Sequence, residues 1–178
     1  MIMKNHFSIS YAGNHSLRFM AISPFLIFLL FVLTSAVLSP YFEKNLMVSE
    51  YQLTTSILGK ICHQYPSRCF YVFGSNMGLC ARCFSIYSVI LIVCILSVFF
   101  DISVSLKNRF LIALSFVVPL LLDGISQYFR VRESNNYFRL LTGLFAGIGI
   151  SIVFFPIYVA GARNVTDRIK NMITKGGL

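Results

Sequence analysis

Four apolar stretches set the organisation of the chain, at residues 19–39, 84–100, 110–127 and 140–160. Each meets the requirement of roughly 17 to 25 mostly apolar residues for a helix that crosses the hydrocarbon of a bilayer. The first runs from Phe19 to Ser39 and is predicted to stop at Pro40. Lys4 and Arg18 precede it and Ser35 and Ala36 lie near its end, as in a secretory signal. Its apolar run nevertheless exceeds the roughly 7 to 15 residues of such a signal, so it reads as a span. The second follows Cys83 directly, the third ends near Gln127 and the fourth begins at Leu140. Residues 41–61 are too polar to span, with Glu43, Lys44, Glu50 and Lys60. Leu46, Tyr51, Leu53, Ile57, Leu58 and Ile61 recur there in a pattern that predicts an interfacial helix. The expected fold is all-α: one integral membrane domain over residues 1–178, with four transmembrane helices and a cysteine-containing motif loop at residues 41–83 between the first two.

Composition agrees with the pattern. Apolar residues make up 57% of the chain and charged residues 12%, with a mean hydropathy of +0.77. A soluble domain has roughly 45 to 50% apolar residues. The net charge of +9 raises the possibility of nucleic acid, but the basic residues are spread over several connections. They form no single stripe interleaved with aromatics, so anchoring to anionic lipid headgroups is the better reading and no nucleic-acid partner is expected. With the N-terminus in the cytoplasm, eight Lys and Arg fall inside and seven outside. Several of those seven lie within dense motifs, whereas the C-terminal basic residues resemble a free tail. The expected orientation in the cell membrane therefore puts both termini in the cytoplasm and the motif loop outside.

Four of the five cysteines crowd into residues 62–83. Cys80-Ala81-Arg82-Cys83 enters the second span, and Cys62-His63 stands eighteen and seventeen residues before Cys80. Two thiols at C-x-x-C spacing close a disulfide or point at one metal ion, and a helix N-terminus lowers the pKa of a nearby thiol. Cys62, His63, Cys80 and Cys83 are permitted ligand types for tetrahedral zinc, although adjacent residues seldom serve one ion comfortably. Cys62/Cys69 and Cys80/Cys83 as two communicating redox pairs is the competing arrangement. Thiols simply packed at the membrane interface are a third. Cys94, in an apolar run, reads as a small hydrophobe. Arg68 and Arg82, interleaved with the cysteines, suit an anion site or snorkel to headgroups.

A second polar cluster flanks the last connection. Asp123 and Gln127 share one helix face, with Arg130 following if that helix continues. An acid within a span demands a partner, and Arg139 at the start of the fourth span is the expected one across an antiparallel hairpin centred near residue 133. The pair reads equally as a structural lock between helices or as part of a site. Gly143, Gly147 and Ser151, with Ala146 beside them, form a small-residue stripe that permits close helix approach.

The motifs Cys62-His63-Gln64-x-Pro66-x-Arg68, Cys80-x-Arg82-Cys83-x-x-Ile86-Tyr87, Asp123-Gly124-x-x-Gln127 and Arg139-x-x-Thr142-Gly143 together resemble a family of small prokaryotic membrane proteins classed as a domain of unknown function. The resemblance covers about residues 55–150 and implies no established activity. That family usually carries serine where Cys69 stands, which implies that Cys69 is not an obligatory redox partner. A fainter likeness over Asp123, Gln127, Phe129, Arg132, Asn135 and Gly143 to Gly147 is similar to the second half of VanZ-like membrane proteins, which implies an envelope or lipid-headgroup role.

The leading functional expectation is a zinc-class ion held by Cys62, Cys80 and Cys83, with His63, beside a polar site of Arg68, Arg82, Asp123, Gln127 and Arg139. That site would bind an anionic lipid headgroup or a small anion. A thiol-disulfide oxidoreductase coupled to a membrane quinone is the alternative, with Cys80 or Cys83 reactive. Two further alternatives are an oligomeric transporter or proton relay, its interface on the glycine-rich last helix, and a non-catalytic partner of a membrane complex. Nucleotide-binding loops, serine-hydrolase elbows and H-E-x-x-H are absent from the sequence, which argues against those enzyme classes.

Overall fold

The computed structural model describes residues 15–99, 106–129 and 133–175. Phe100, Arg130, Arg132 and the N-terminal Lys4 lie outside the described residues. The elements run α1 (His15–Lys44), α2 (Val48–Gly59), β1 (Cys69–Val72), β2 (Ser75–Cys80), α3 (Ala81–Phe99), α4 (Leu106–Tyr128) and α5 (Asn136–Lys175). A single 3-10 turn, Pro66–Arg68, leads into β1.

Four helices, α1, α3, α4 and α5, are long and apolar enough to cross a membrane, over Ile22–Lys44, Ala81–Phe99, Asn108–Tyr128 and Asn136–Val159. The 19 residues of α3 make a rod of about 28 Å, close to the roughly 30 Å of a hydrocarbon core. Two predicted boundaries change. Proline does not end the first span, because α1 continues through Pro40 to Lys44. Pro40 removes one backbone donor, yet its ring is fully buried, so packing at that turn outweighs the lost hydrogen bond. The last helix extends well past residue 160, to Lys175.

α5 is the central element, with α3 and α4 each packed along it. Small residues make this possible. A Cβ added to Gly143 would meet Arg82 O at 2.8 Å and Arg82 Cα at 3.2 Å, and one added to Gly147 would meet Val89 Cβ at 2.9 Å. The stripe is therefore used inside the bundle, against α3, and is not a free face for a second copy. Gly149 does the same for α4, where an added Cβ would lie 2.8 Å from Ala113 O. Ile22, Leu29, Ile90, Phe155 and Cys94 form the buried centre of α1, α3 and α5, so Cys94 does pack as a small hydrophobe.

The predicted interfacial helix exists as α2, which turns Leu58 inward and leaves Leu53 exposed. Residues 69–80, expected as loop, form an antiparallel hairpin, the one sheet among the described residues. Val72 pairs with Ser75 across Phe73 and Gly74, whose φ angles of 53° and 93° are both positive. Two central residues with positive φ make a type I′ turn, and its twist matches that of the strands. A second hydrophobic cluster, of Val32, Ala36, Leu58, Cys62, Met77 and Leu79, seats the hairpin on α1 and α2. Gly78 allows that approach, since an added Cβ would lie 3.1 Å from Ser39 Cβ and 3.3 Å from Ala36 Cα.

Candidate metal and anion site

Cys62 ends the turn after α2, Cys80 closes β2, and Cys83 sits in the first turn of α3. Their three sulfur atoms lie within 4.8 Å of one another. That is one ligand atom from each of three elements at a spacing that a single ion can bridge with bonds of about 2.3 Å. The Cys80 amide donates to Cys62 Sγ at 3.3 Å, which fixes one sulfur against the start of α3. The Cys80 thiol, and after it the Cys83 thiol, donates to Cys62, holding Cys62 far below the usual thiol range. Cys80 is pushed the other way, chiefly because it is the donor to Cys62. The cluster thus concentrates thiolate character at its most buried member, and a metal entering it would displace the remaining protons.

The motif between Cys62 and Arg68 is a positioning device. Gln64 takes a positive φ of 51° and its Nε2 donates to Gly78 O at 2.9 Å, tying the turn to β2. Pro66 then opens the 3-10 turn that delivers Arg68. His63 does not join the sulfur cluster. Its exposed ring stacks on Tyr65 with centroids 5.9 Å apart, on the wall of the cavity next to the cysteines. Cys69 stands opposite Cys80 in the hairpin but outside the three-sulfur group. Burial pushes its thiol up to about 12, which leaves it a poor nucleophile. All five cysteines are free thiols.

The polar cluster is wired differently from the sequence expectation. Asp123 pairs with Arg82 of α3, and not with Arg139. Gln127 Nε2 donates to Asp123 Oδ2 at 2.9 Å, and the Ser134 hydroxyl donates to Asp123 Oδ1. Arg139 is drawn to the hairpin side: Nη1 donates to Ser67 O at 3.2 Å and to Asn136 Oδ1 at 2.9 Å, and Nη2 to Gln127 Oε1 at 3.4 Å. The physical reason is reach. The first turn of α3, pressed on α5 at Gly143, holds Arg82 across from α4, while the carbonyl of Ser67 attracts Arg139 away from it. Gln127 does lie level with Arg139, as the hairpin register predicted.

Ser134, Asn136 and Tyr65 were not among the predicted site residues. Asn136 Nδ2 donates to Cys69 O at 2.9 Å, so the α4–α5 connection and the cysteine hairpin meet on one face of the bundle. The polar run Ser134-Asn135-Asn136 was the available signal. Asn135 Oδ1 accepts from the Phe138 amide at 2.8 Å, the hydrogen bond of a helix N-cap.

Two cavities adjoin this arrangement. One of about 660 Å³ is lined by Cys80, Cys83 and Arg82 together with apolar side chains of α3 and α4. The other, of about 760 Å³, is lined by Ser67, Gln127, Ser134 and Asn136. Arg68 and Arg139 line both. The Arg68 guanidinium lies 5.1 Å over the Tyr65 ring. Among the described residues neither Arg68 nor Arg139 has a carboxylate within ion-pair distance. Arg139 is more than nine-tenths buried, its acceptors are all neutral, and its Nε has none. A buried cation with neutral partners favours an anion nearby, because its own field is poorly screened there.

Residues 62–153, which carry every one of these groups from Cys62 to Arg139, match the family model described as predicted membrane protein (DUF2085). The chain belongs to this family. An uncharacterized protein of Methanocaldococcus jannaschii is 37% identical over 140 residues, covering 74% of this chain and 87% of that relative. An uncharacterized protein of Methanothermobacter thermautotrophicus is 36% identical over 93 residues, covering 52% of this chain and 83% of that relative. No solved structure matches. This DUF2085 chain is thus a membrane protein of unknown activity whose Cys62, Cys80 and Cys83 are placed so that they can hold a metal ion.

Proposed function

We propose that the protein binds an anionic group, from a lipid headgroup or a small solute, at Arg68 and Arg139, next to a zinc-class ion held by Cys62, Cys80 and Cys83. The observation that carries this reading is the shared cavity wall: two of the three clustered cysteines line the same cavity as three arginines. Asp123 is already paired with Arg82, which leaves the other two guanidinium groups without a carboxylate partner among the described residues. The metal clamps the end of α2, β2 and the first turn of α3 together and so fixes Arg82 relative to Arg68. Three thiolates leave one tetrahedral position for a ligand from outside the cluster, and the two cysteines on the cavity wall support its opening there. His63, on that same wall, is the side chain nearest in sequence to supply it. With a cytoplasmic N-terminus and four spans the motif loop faces outside, which a reporter or accessibility probe at residue 75 tests.

Elemental analysis of the detergent-purified full chain, with thiol counting on the same sample, is the decisive experiment. About one zinc or iron per chain is expected, lost in Cys62→Ser, Cys80→Ser and Cys83→Ser and retained in Cys69→Ser and Cys94→Ser. Metal-free protein with a reducible Cys80–Cys83 disulfide would replace this reading with the quinone-linked thiol-disulfide one.

A further inference from the structure

The two cavities differ in character, and only Arg68 and Arg139 belong to the walls of both. The first lies between α3 and α4 within the spans, and its far wall is Ile86, Leu120, Leu121 and Ile125. Leu121 and Ile125 are half exposed, on a helix whose other surroundings would be lipid chains, so this cavity is reached from the bilayer side. The second is polar, and the exposed Glu133 stands at its wall. A ligand that touches both walls at the two arginines therefore has an apolar part, an anion and a polar part in that order.

We propose that this is one site for a phosphate-bearing membrane lipid, its phosphate between Arg68 and Arg139, its chain between α3 and α4, and its head in the polar cavity. This rests on the anion reading above and names the ligand class. Charge complementarity decides for a phosphate lipid: two guanidinium groups without carboxylate partners face one shared volume, and a guanidinium fork fits a phosphate with two hydrogen bonds. A neutral lipid would leave the buried Arg139 uncompensated in a region of low dielectric.

The motif Asp123-Gly124-x-x-Gln127 acquires a division of labour under this proposal. Asp123 anchors Arg82 and Gln127 accepts from Arg139, while Gly124 leaves room. Gly124 lines the apolar cavity, and a Cβ placed on it would meet nothing within 4 Å. Glycine within a helix is unfavourable by roughly 1 kcal/mol relative to alanine, and no packing contact or positive φ requires it here. An open chain-binding groove uses the space that it leaves.

The test uses the full chain in dodecyl maltoside, a detergent without phosphate, with phosphatidic acid as one probe and inorganic phosphate as the other, binding being followed by native mass spectrometry and thermal shift. Phosphatidic acid should bind and inorganic phosphate should not compete with it. Arg139→Gln and Arg68→Gln should weaken the lipid at least about tenfold, the order expected for losing a charge-assisted pair of hydrogen bonds. Gly124→Leu should weaken it comparably while leaving metal content unchanged and without lowering the melting temperature, and Gly124→Ala serves as the folded control. Phosphatidic acid bound by Gly124→Leu as by wild type would overturn the lipid proposal. So would inorganic phosphate competing on equal terms, an outcome that leaves the anion reading standing. If neither probe binds and the arginine variants are silent, both readings fall.

Discussion

Replacing Gly143 by alanine tests the closest approach in the bundle. The added methyl would meet Arg82 O at 2.8 Å and Arg82 Cα at 3.2 Å, with the Ser85 hydroxyl closer still. Ser85 can rotate away, at the loss of its 2.9 Å hydrogen bond to Arg82 O. The backbone of Arg82 cannot, short of a shift of α3. Overpacking of this kind costs about 1–3 kcal/mol. Alanine recovers roughly 1 kcal/mol of helix propensity over glycine, and the broken hydrogen bond removes about as much again. The net loss should be about 1–3 kcal/mol, or a fall of roughly 2–12 °C in Tm at some 2–4 °C per kcal/mol for a chain of this length. Gly124→Ala is the internal comparison. Its new methyl enters open space, so it should raise Tm by about 2–4 °C. Thermal unfolding in detergent, followed by the exposure of buried Cys94, measures both. Gly143→Ala melting at or above wild type would refute the packing of α5 on α3 at Arg82. Equal falls for both glycines would show that these contact distances do not govern stability.

Three further outcomes follow from the wiring of the site. Asp123→Ala leaves the part-buried Arg82 without its counter-ion and should destabilise by up to about 3 kcal/mol, while Arg82→Met combined with Asp123→Leu should recover a large part of that; additive losses in a double-mutant cycle would contradict the ion pair. Gly74→Val places a β-branched residue at a φ of 93° and should cost about 1–3 kcal/mol, read as a lower Tm and, in protein loaded with zinc, as faster loss of the ion on dialysis because the strained turn no longer aligns β2 with Cys62. In protein treated with a chelator, buried Cys69 should react with maleimide more slowly than Cys80 or Cys83; labelling of Cys69 first would refute its burial within the hairpin.

The four spans were legible because a lipid-facing helix satisfies its backbone within itself and presents apolar side chains all round, so each is a property of one contiguous segment. Crowding near the start of a span pointed to Cys62, Cys80 and Cys83, but with His63 as a further ligand or Cys69 as a redox partner; only the fold gathers the three sulfurs and leaves those two outside. Boundaries were less so: Pro40 reads as a stop, and only the packing of its ring shows why α1 continues to Lys44. The hairpin was missed because Phe73-Gly74 is a quieter turn signal than Asn-Gly, and β2 buries Met77, Gly78 and Leu79 in succession instead of alternating.

The linear chain by itself therefore determined what must lie in lipid and which groups cannot lie there alone. It left open which partner each of those groups finds. Asp123 takes Arg82 from 41 residues away, Arg139 takes a carbonyl 72 residues away, and His63 turns to Tyr65 while its neighbour Cys62 joins the sulfurs. Each choice depends on how closely α3 and α4 approach α5, and the hairpin approaches α1. That approach is set by glycine contacts between segments, which only the assembled bundle brings together.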